Sequence, residues 1–264
     1  SFSVPDATPH APGLSNKLVL ICKHLPRLDC ALTDKPRSIR PDDLQIIEQI
    51  PGIIAVARDA DLRLTWCTCS FYRVLDIAYE TQDLAGSTLQ DILTPTAAEE
   101  RERMLREVIQ SGKVHSHYQF SADSRVLCTI FPLDREAFGH DGVLTIMKDS
   151  PINARLCESS DIEVLSSPHL AQLNALSSRE LEILHHIAKG MSTNEIAGTL
   201  NRSSKTVEKQ VNSIHTKLNT HSRAELVRYA TERGIQSFTD EDWTAIVEGA
   251  KILRRERRAA IAAG

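Results

Sequence analysis

Between Leu176 and Leu218 the chain carries three helix starts and one tight turn, at spacings that leave the segment few ways to fold. Ser177 is followed three residues later by Glu180, a pairing in which each side chain satisfies a free backbone amide at a helix start. Leu181, Leu184, Ile187 and Ala188 then share one helical face, and Gly190 stops the helix. Ser192 and Glu195 repeat the box and open a short helix through Ile196, Ala197 and Leu200. Asn201-Arg202-Ser203 makes a turn in which Asn tolerates the left-handed backbone. A third helix from Ser204 carries Val207, Val211, Ile214 and Leu218 at spacings of 4, 3 and 4. Three capped helices with a short turn between the second and third have helix-turn-helix geometry.

With that apolar stripe facing inward, the opposite face of the third helix shows Glu208, Lys209, Asn212 and Thr216, which would enter a major groove. Of these, Glu208, Lys209 and Asn212 are the expected base contacts. Ser203, Ser204, Lys205 and Thr206 sit at the positive helix N-terminus and suit phosphate, and Lys217 and Arg223 lie where basic side chains could reach the same backbone. Charge agrees with this division. Residues 1–175 hold 17 Lys+Arg against 24 Asp+Glu, residues 176–234 hold 9 against 6, and residues 235–264 hold 5 of each, which gives the overall −4. Only the basic stretch is suited to a polyanion.

Leu176-Ser177-Ser178-Arg179-Glu180, Gly190 to Ala197, Ser203 to Glu208 and Ile214 to Leu218 together resemble the LuxR-type helix-turn-helix regulators, over residues 176–230. The resemblance implies double-stranded DNA as target and a homodimer. Its fourth helix, Arg223 to Ala230, would supply the dimer interface through Glu225, Leu226 and Tyr229 and set half-site spacing. The chain departs from the family pattern at Gln210, often His, and at Glu208, often basic. Glu208 would either accept from a cytosine amine, point away, or pair with Lys205 or Lys209.

The front is read from element order. Helical spacing over Asp42 to Ile50 ends at Pro51-Gly52, and Ile53 to Ala57 and Leu62 to Trp66 read as strands about an acidic turn. Helices follow at Ser70 to Ile77, Ser87 to Leu93 and Thr96 to Gln110, then strands at His115 to Ser121, Val126 to Phe131 and Gly142 to Lys148. This order, with Pro51-Gly52-Ile53 and Phe131-Pro132-Leu133, resembles a PAS domain over residues 42–149: an antiparallel sheet with helices over one face. The expected fold class is thus α+β, a PAS-like sheet followed by an all-α helix-turn-helix domain. The expected division is a flexible segment at 1–41 with a short amphipathic helix within 14–34, the PAS-like domain at 42–149, a linker at 150–175, the DNA-binding domain at 176–234 and a helical extension at 235–264. In that extension Thr239 and Asp242 cap a helix whose stripe is Trp243, Ile246, Val247, Ala250 and Leu253. Arg254, Arg255, Arg257 and Arg258 crowd its end, either complementing the helix dipole or adding phosphate contacts.

Other chemistry is thin. Cys67-Thr68-Cys69 lacks a second ligand pair for metal and reads as two core thiols on one strand face, and Cys128 reads as core. The remaining cysteines, Cys22, Cys30 and Cys157, show no disulfide spacing, so the thiols are expected reduced. The cofactor is not identified. Flavin is disfavoured because the light-sensing Asn-Cys-Arg-Phe-Leu sequence is absent, and haem because Thr96 to Gln110 contains no His. A small apolar ligand, or dimerisation alone, stays open for the PAS-like domain. No nucleophile motif, phosphate loop or metal triad marks an enzyme. The apolar run Leu18 to Cys22 is too short for a signal core or a membrane span, so a cytoplasmic protein is expected, with RNA polymerase as a further partner. The competing reading is a sigma-like factor that recruits RNA polymerase. It would need a promoter-melting helical domain where this front is rich in strands.

Overall fold

The computed structural model describes residues 40–74, 84–150 and 162–263. The amphipathic helix expected within 14–34, Cys22, Cys30, Cys157, the end of the helix expected to reach Ile77 and the first half of the expected linker lie outside the described residues.

Helix α1 (Pro41–Glu48) leads into strands β1 (Ile54–Asp59) and β2 (Leu64–Cys67). Helices α2 (Cys69–Val74), α3 (Leu89–Ile92) and α4 (Pro95–Ser111) follow, then β3 (His115–Ser121), β4 (Ser124–Pro132), the short α5 (Arg135–Phe138) and β5 (Gly142–Asp149). These elements follow the PAS order read from the sequence. The sheet runs β2-β1-β5-β4-β3-β6, with antiparallel neighbours through β3 and β6 (Glu163–Val164) added parallel at that edge. Pro95 opens α4 and Gly112 ends it in the left-handed conformation, so α4 is bounded by its own sequence. Met104, Leu105 and Val108 of α4 pack on Ile130 and Val143 of the sheet.

The helical part comprises α6 (Ser178–Ala188), α7 (Thr193–Thr199), α8 (Ser204–Leu218), α9 (Arg223–Glu232) and α10 (Asp240–Ala263). Both serine–glutamate boxes form, at Ser177/Glu180 and Ser192/Glu195. Asn201 holds φ +50° in the turn between α7 and α8. Thr239 and Asp242 cap α10 reciprocally at 3.3 and 3.1 Å.

The second half of the expected linker is not a linker. Leu165 N donates to Tyr118 O at 2.8 Å and His169 N to Phe120 O at 2.9 Å, which fastens this segment to the β3 edge. The Glu100 carboxylate accepts from Ser166 N, Ser166 Oγ and Ser167 N at 2.9, 2.9 and 3.0 Å. Asp123, in the β3–β4 turn, accepts from Gln172 N and Leu173 N at 2.9 and 3.2 Å and caps a 3₁₀ turn at Ala171–Ala175. Leu165, Leu170, Leu173 and Leu176 are buried. The serines and Pro168 that read as loop are held by partners remote in sequence, and no local pattern announces them.

Strand β3 is buried on both faces. Its Tyr118 and Phe120 join Leu181, Leu184, Phe238 and Trp243 in one apolar cluster, so the sheet edge and the helical part share a core. The Phe120 and Trp243 rings meet edge-on at 5.6 Å. Trp243 Nε1 donates to Leu181 O at 2.9 Å, which satisfies the indole inside that core.

Candidate nucleic-acid interface and ligand cavity

Helix α8 is built to show one face. Ser203 Oγ accepts from Thr206 N at 3.2 Å and caps it, Asn219 ends it in the left-handed conformation, and Val207 and Ile214 are buried. Glu208, Lys209, Asn212 and Thr216 are all exposed on the opposite side, with Arg202 and Lys205 exposed near its start. The three expected base contacts therefore share an accessible surface. Glu208 forms no ion pair with Lys205 or Lys209 among the described residues.

The expected phosphate contacts divide. Lys205 is exposed and carries no ion pair among the described residues. Ser203 and Thr206 hydroxyls bond each other at 2.8 Å, and Ser204 Oγ donates to Asn194 Oδ1 at 2.6 Å. Lys217 is turned to a different task. Its ammonium lies 2.6 Å from Glu180 Oε2, and that carboxylate is 5% exposed. Burial works to raise the Glu180 pKa, but Lys217, Ser213 and Ser177 outweigh it and hold it down to about 2. The pair ties the start of α6 to the end of α8, so the Lys217 charge is already neutralised. Arg223 likewise donates inward, to Met191 O.

In the expected dimer helix, Leu226 is fully buried and packs into the domain's own core, which removes it from any interface. Hydrophobic drive toward the nearer core wins over a surface role at that position. Glu225 is half-buried, and its carboxylate accepts from His221 N at 2.7 Å. Tyr229 is half-buried beneath the Arg233 guanidinium, 3.5 Å from the ring centroid.

A cavity of about 540 Å³ opens between the sheet, α4 and the last turns of α10. Phe71, Leu89, Met104, Leu105, Ile130 and Met147 give it apolar walls, and its charged and polar lining combines Arg58, Arg101 and Arg257 with Asp91 and Glu256, beside His117 and Gln119. Burial pushes the His117 pKa down to about 3, aided by Arg101 and His115, so the imidazole is neutral. Cys128 also lines the cavity and is buried as expected, its thiol pushed up to about 12 by that burial. Cys69 departs from the core reading: it lies at the start of α2 and is exposed, because β2 ends at Cys67 and the strand alternation stops there. Sequence reasoning did not anticipate Arg58, Arg101 or His117. An arginine inside the apolar run of β1 was the one available signal.

Among the described residues no helix is long and apolar enough to cross a membrane. The sequence model of the bacterial regulatory proteins of the luxR family matches residues 174–230, and that of the PAS fold matches residues 47–150. The oxygen regulatory protein NreC of Staphylococcus epidermidis strain RP62A is 36% identical over 137 residues, 52% of this chain and 61% of that protein. NreC of Staphylococcus aureus strain JH9 is 51% identical over 63 residues, 24% of this chain and 29% of that one. The chain thus spans less than two thirds of these relatives' length. Among solved structures, the VqmA–ligand–DNA complex from Vibrio cholerae aligns with TM-score 0.41 and 20% identity, over 79% of this chain and 94% of that one. The chain carries a helix-turn-helix domain of the bacterial luxR regulatory family at residues 174–230, joined to a PAS fold over residues 47–150.

Proposed function

We propose that this protein is a cytoplasmic, non-enzymatic transcription regulator that reads double-stranded DNA with α8 and holds a small-molecule signal in the PAS cavity. The observation that carries the reading is the single exposed face of α8, with Glu208, Lys209 and Asn212 together and Lys205 at its capped N-terminus. Residues 42–149 are the sensor and residues 176–234 the DNA-binding domain, working as a homodimer that addresses RNA polymerase. Dimer contacts run along the open edge of α9, through Glu225 and Tyr229 and without Leu226. Signal acts by favouring one dimer arrangement, to the extent of its differential affinity for the two.

Selection of bound sequences from a random DNA pool, followed by fluorescence anisotropy on the selected site, tests this. Lys205→Ala is expected to weaken binding to every sequence and lower the log-affinity against log-salt slope by about 1. Lys209→Ala or Asn212→Ala is expected to change preference at individual base pairs by about 1–3 kcal/mol each. Recovery of no preferred sequence, or the same preference in all three variants, would overturn the assignment of α8.

A further inference from the structure

Past its midpoint, α10 changes how it is held. Trp243, Ile246, Val247 and Ala250 are buried with Leu181 and Leu184 of α6, and Gly249 lies against the backbone of Ser166. Leu253 is the last buried residue of the stripe, and Arg254 Nη2 donates to Leu176 O at 2.8 Å. Beyond that point Arg255, Arg257 and Arg258 are exposed, and Ile261 is 81% exposed. Those three arginines form no ion pair among the described residues. One unbroken helix of 24 residues is thus packed over its first half and lightly held over its last turns.

Glu256 supplies the polar tie in those last turns. Its Oε1 accepts from Thr96 N at 3.2 Å and from Thr96 Oγ1. Thr96 lies in the first turn of α4, where backbone amides lack partners within the helix. Thr94, at the N-cap, makes no side-chain cap, and the first turn of α4 holds no acidic residue. A carboxylate 160 residues away therefore does the capping and complements the helix dipole. The tie is incomplete, because Glu256 Oε2 and Thr94 Oγ1 are buried without a well-formed hydrogen bond among the described residues. A buried carboxylate oxygen left in this way carries a cost that water relieves when the tie opens.

The same turns are a wall of the cavity, lined there by Leu253, Glu256, Arg257 and Ala260. We propose that the end of α10, from Arg254 onward, is a strap over the PAS cavity, latched on α4 by Glu256, and that its release admits the ligand. The inference rests on reading the cavity as a ligand site and adds the route into it. The strap is mounted on α6 rather than on the sheet, so a shift between the two parts changes access to the cavity. By the same linkage, an occupied cavity biases that shift.

Hydrogen exchange read by mass spectrometry on the full chain tests the latch. Thr96→Val removes the donating hydroxyl at a residue that does not line the cavity, and Glu256→Gln removes the charge. Each is expected to speed exchange about tenfold in residues 254–262 and in the first turn of α4, with residues 240–249 unmoved. Unchanged exchange in both variants, or an equal rise along all of α10, would overturn the strap. Stopped-flow uptake of N-phenyl-1-naphthylamine, a neutral apolar dye, tests the gate. Both variants are expected to take up the dye about fivefold faster than the unaltered protein. Equal rates would overturn the gate and leave the cavity standing as a ligand site. No uptake by any of the three proteins would overturn the gate and the ligand site together, and DNA binding of the same preparations reports separately on the regulator reading.

Discussion

At the scale of single residues, the structure changes what Lys217 is for. Its position near the end of α8 suggests phosphate on the sequence reading, but the 2.6 Å pair with buried Glu180 makes it a structural counter-ion. Removing one partner of such a pair leaves a buried carboxylate uncompensated, which costs more than the pair itself contributes. Lys217→Ala is therefore expected to destabilise the protein by about 1–3 kcal/mol, while Lys205→Ala leaves the urea midpoint unmoved. A Lys217→Ala protein with the normal midpoint and a flattened salt slope would return Lys217 to the DNA backbone. Leu226 follows the same logic. A periodic apolar residue on a short amphipathic helix satisfies either an interface or a core, and only packing decides which.

Among the elements, α10 has the most exacting contact. Gly249 sits where a Cβ would lie 1.8 Å from Ser166 O, so helix and segment meet backbone to backbone. Gly198, in α7, has nothing within 4 Å of the corresponding position. The same substitution should then act with opposite signs. Gly198→Ala removes only the entropic cost of a helical glycine and is expected to stabilise by about 0.5–1 kcal/mol. Gly249→Ala must push α10 off the segment that Glu100 holds, and is expected to destabilise by more than that gain. Thermal unfolding of the two variants side by side checks both. If Gly249→Ala raised the midpoint as Gly198→Ala should, the close approach of α10 to Ser166 would be wrong.

Across the whole molecule, the PAS sheet and the helix-turn-helix part do not behave as beads on a string. Tyr118 and Phe120 of β3 are buried with Phe238 and Trp243, Arg125 N donates to Arg233 O at 2.8 Å, and α10 spans both parts. A shared core of this kind couples their stabilities. Scanning calorimetry is expected to show one transition whose calorimetric and van't Hoff enthalpies agree. Phe120→Ala, a change within the PAS strand, is expected to cost about 3–5 kcal/mol and to lower that single transition as a whole. Two resolved transitions, with only the first moved by Phe120→Ala, would restore the picture of a sensor on a flexible tether.

The parts legible in the sequence are those fixed within a few residues. The two serine–glutamate boxes, the left-handed Asn201, the Thr239–Asp242 cap and the 4-3-4 stripe of α8 each involve neighbours three or four positions apart, so sequence alone determined the helical part and its outward face. The PAS strands were legible as an order of elements, because alternation and breakers are also local. Tertiary structure alone decided the rest. That Ser166 and Ser167 are clamped by Glu100, that Lys217 faces Glu180 and that Leu226 turns inward all depend on groups brought together from distant parts of the chain. The cavity arginines belong to the same class. A guanidinium in a strand or on a helix is an ordinary surface residue in the sequence, and only the closed fold turns it into part of a cavity wall.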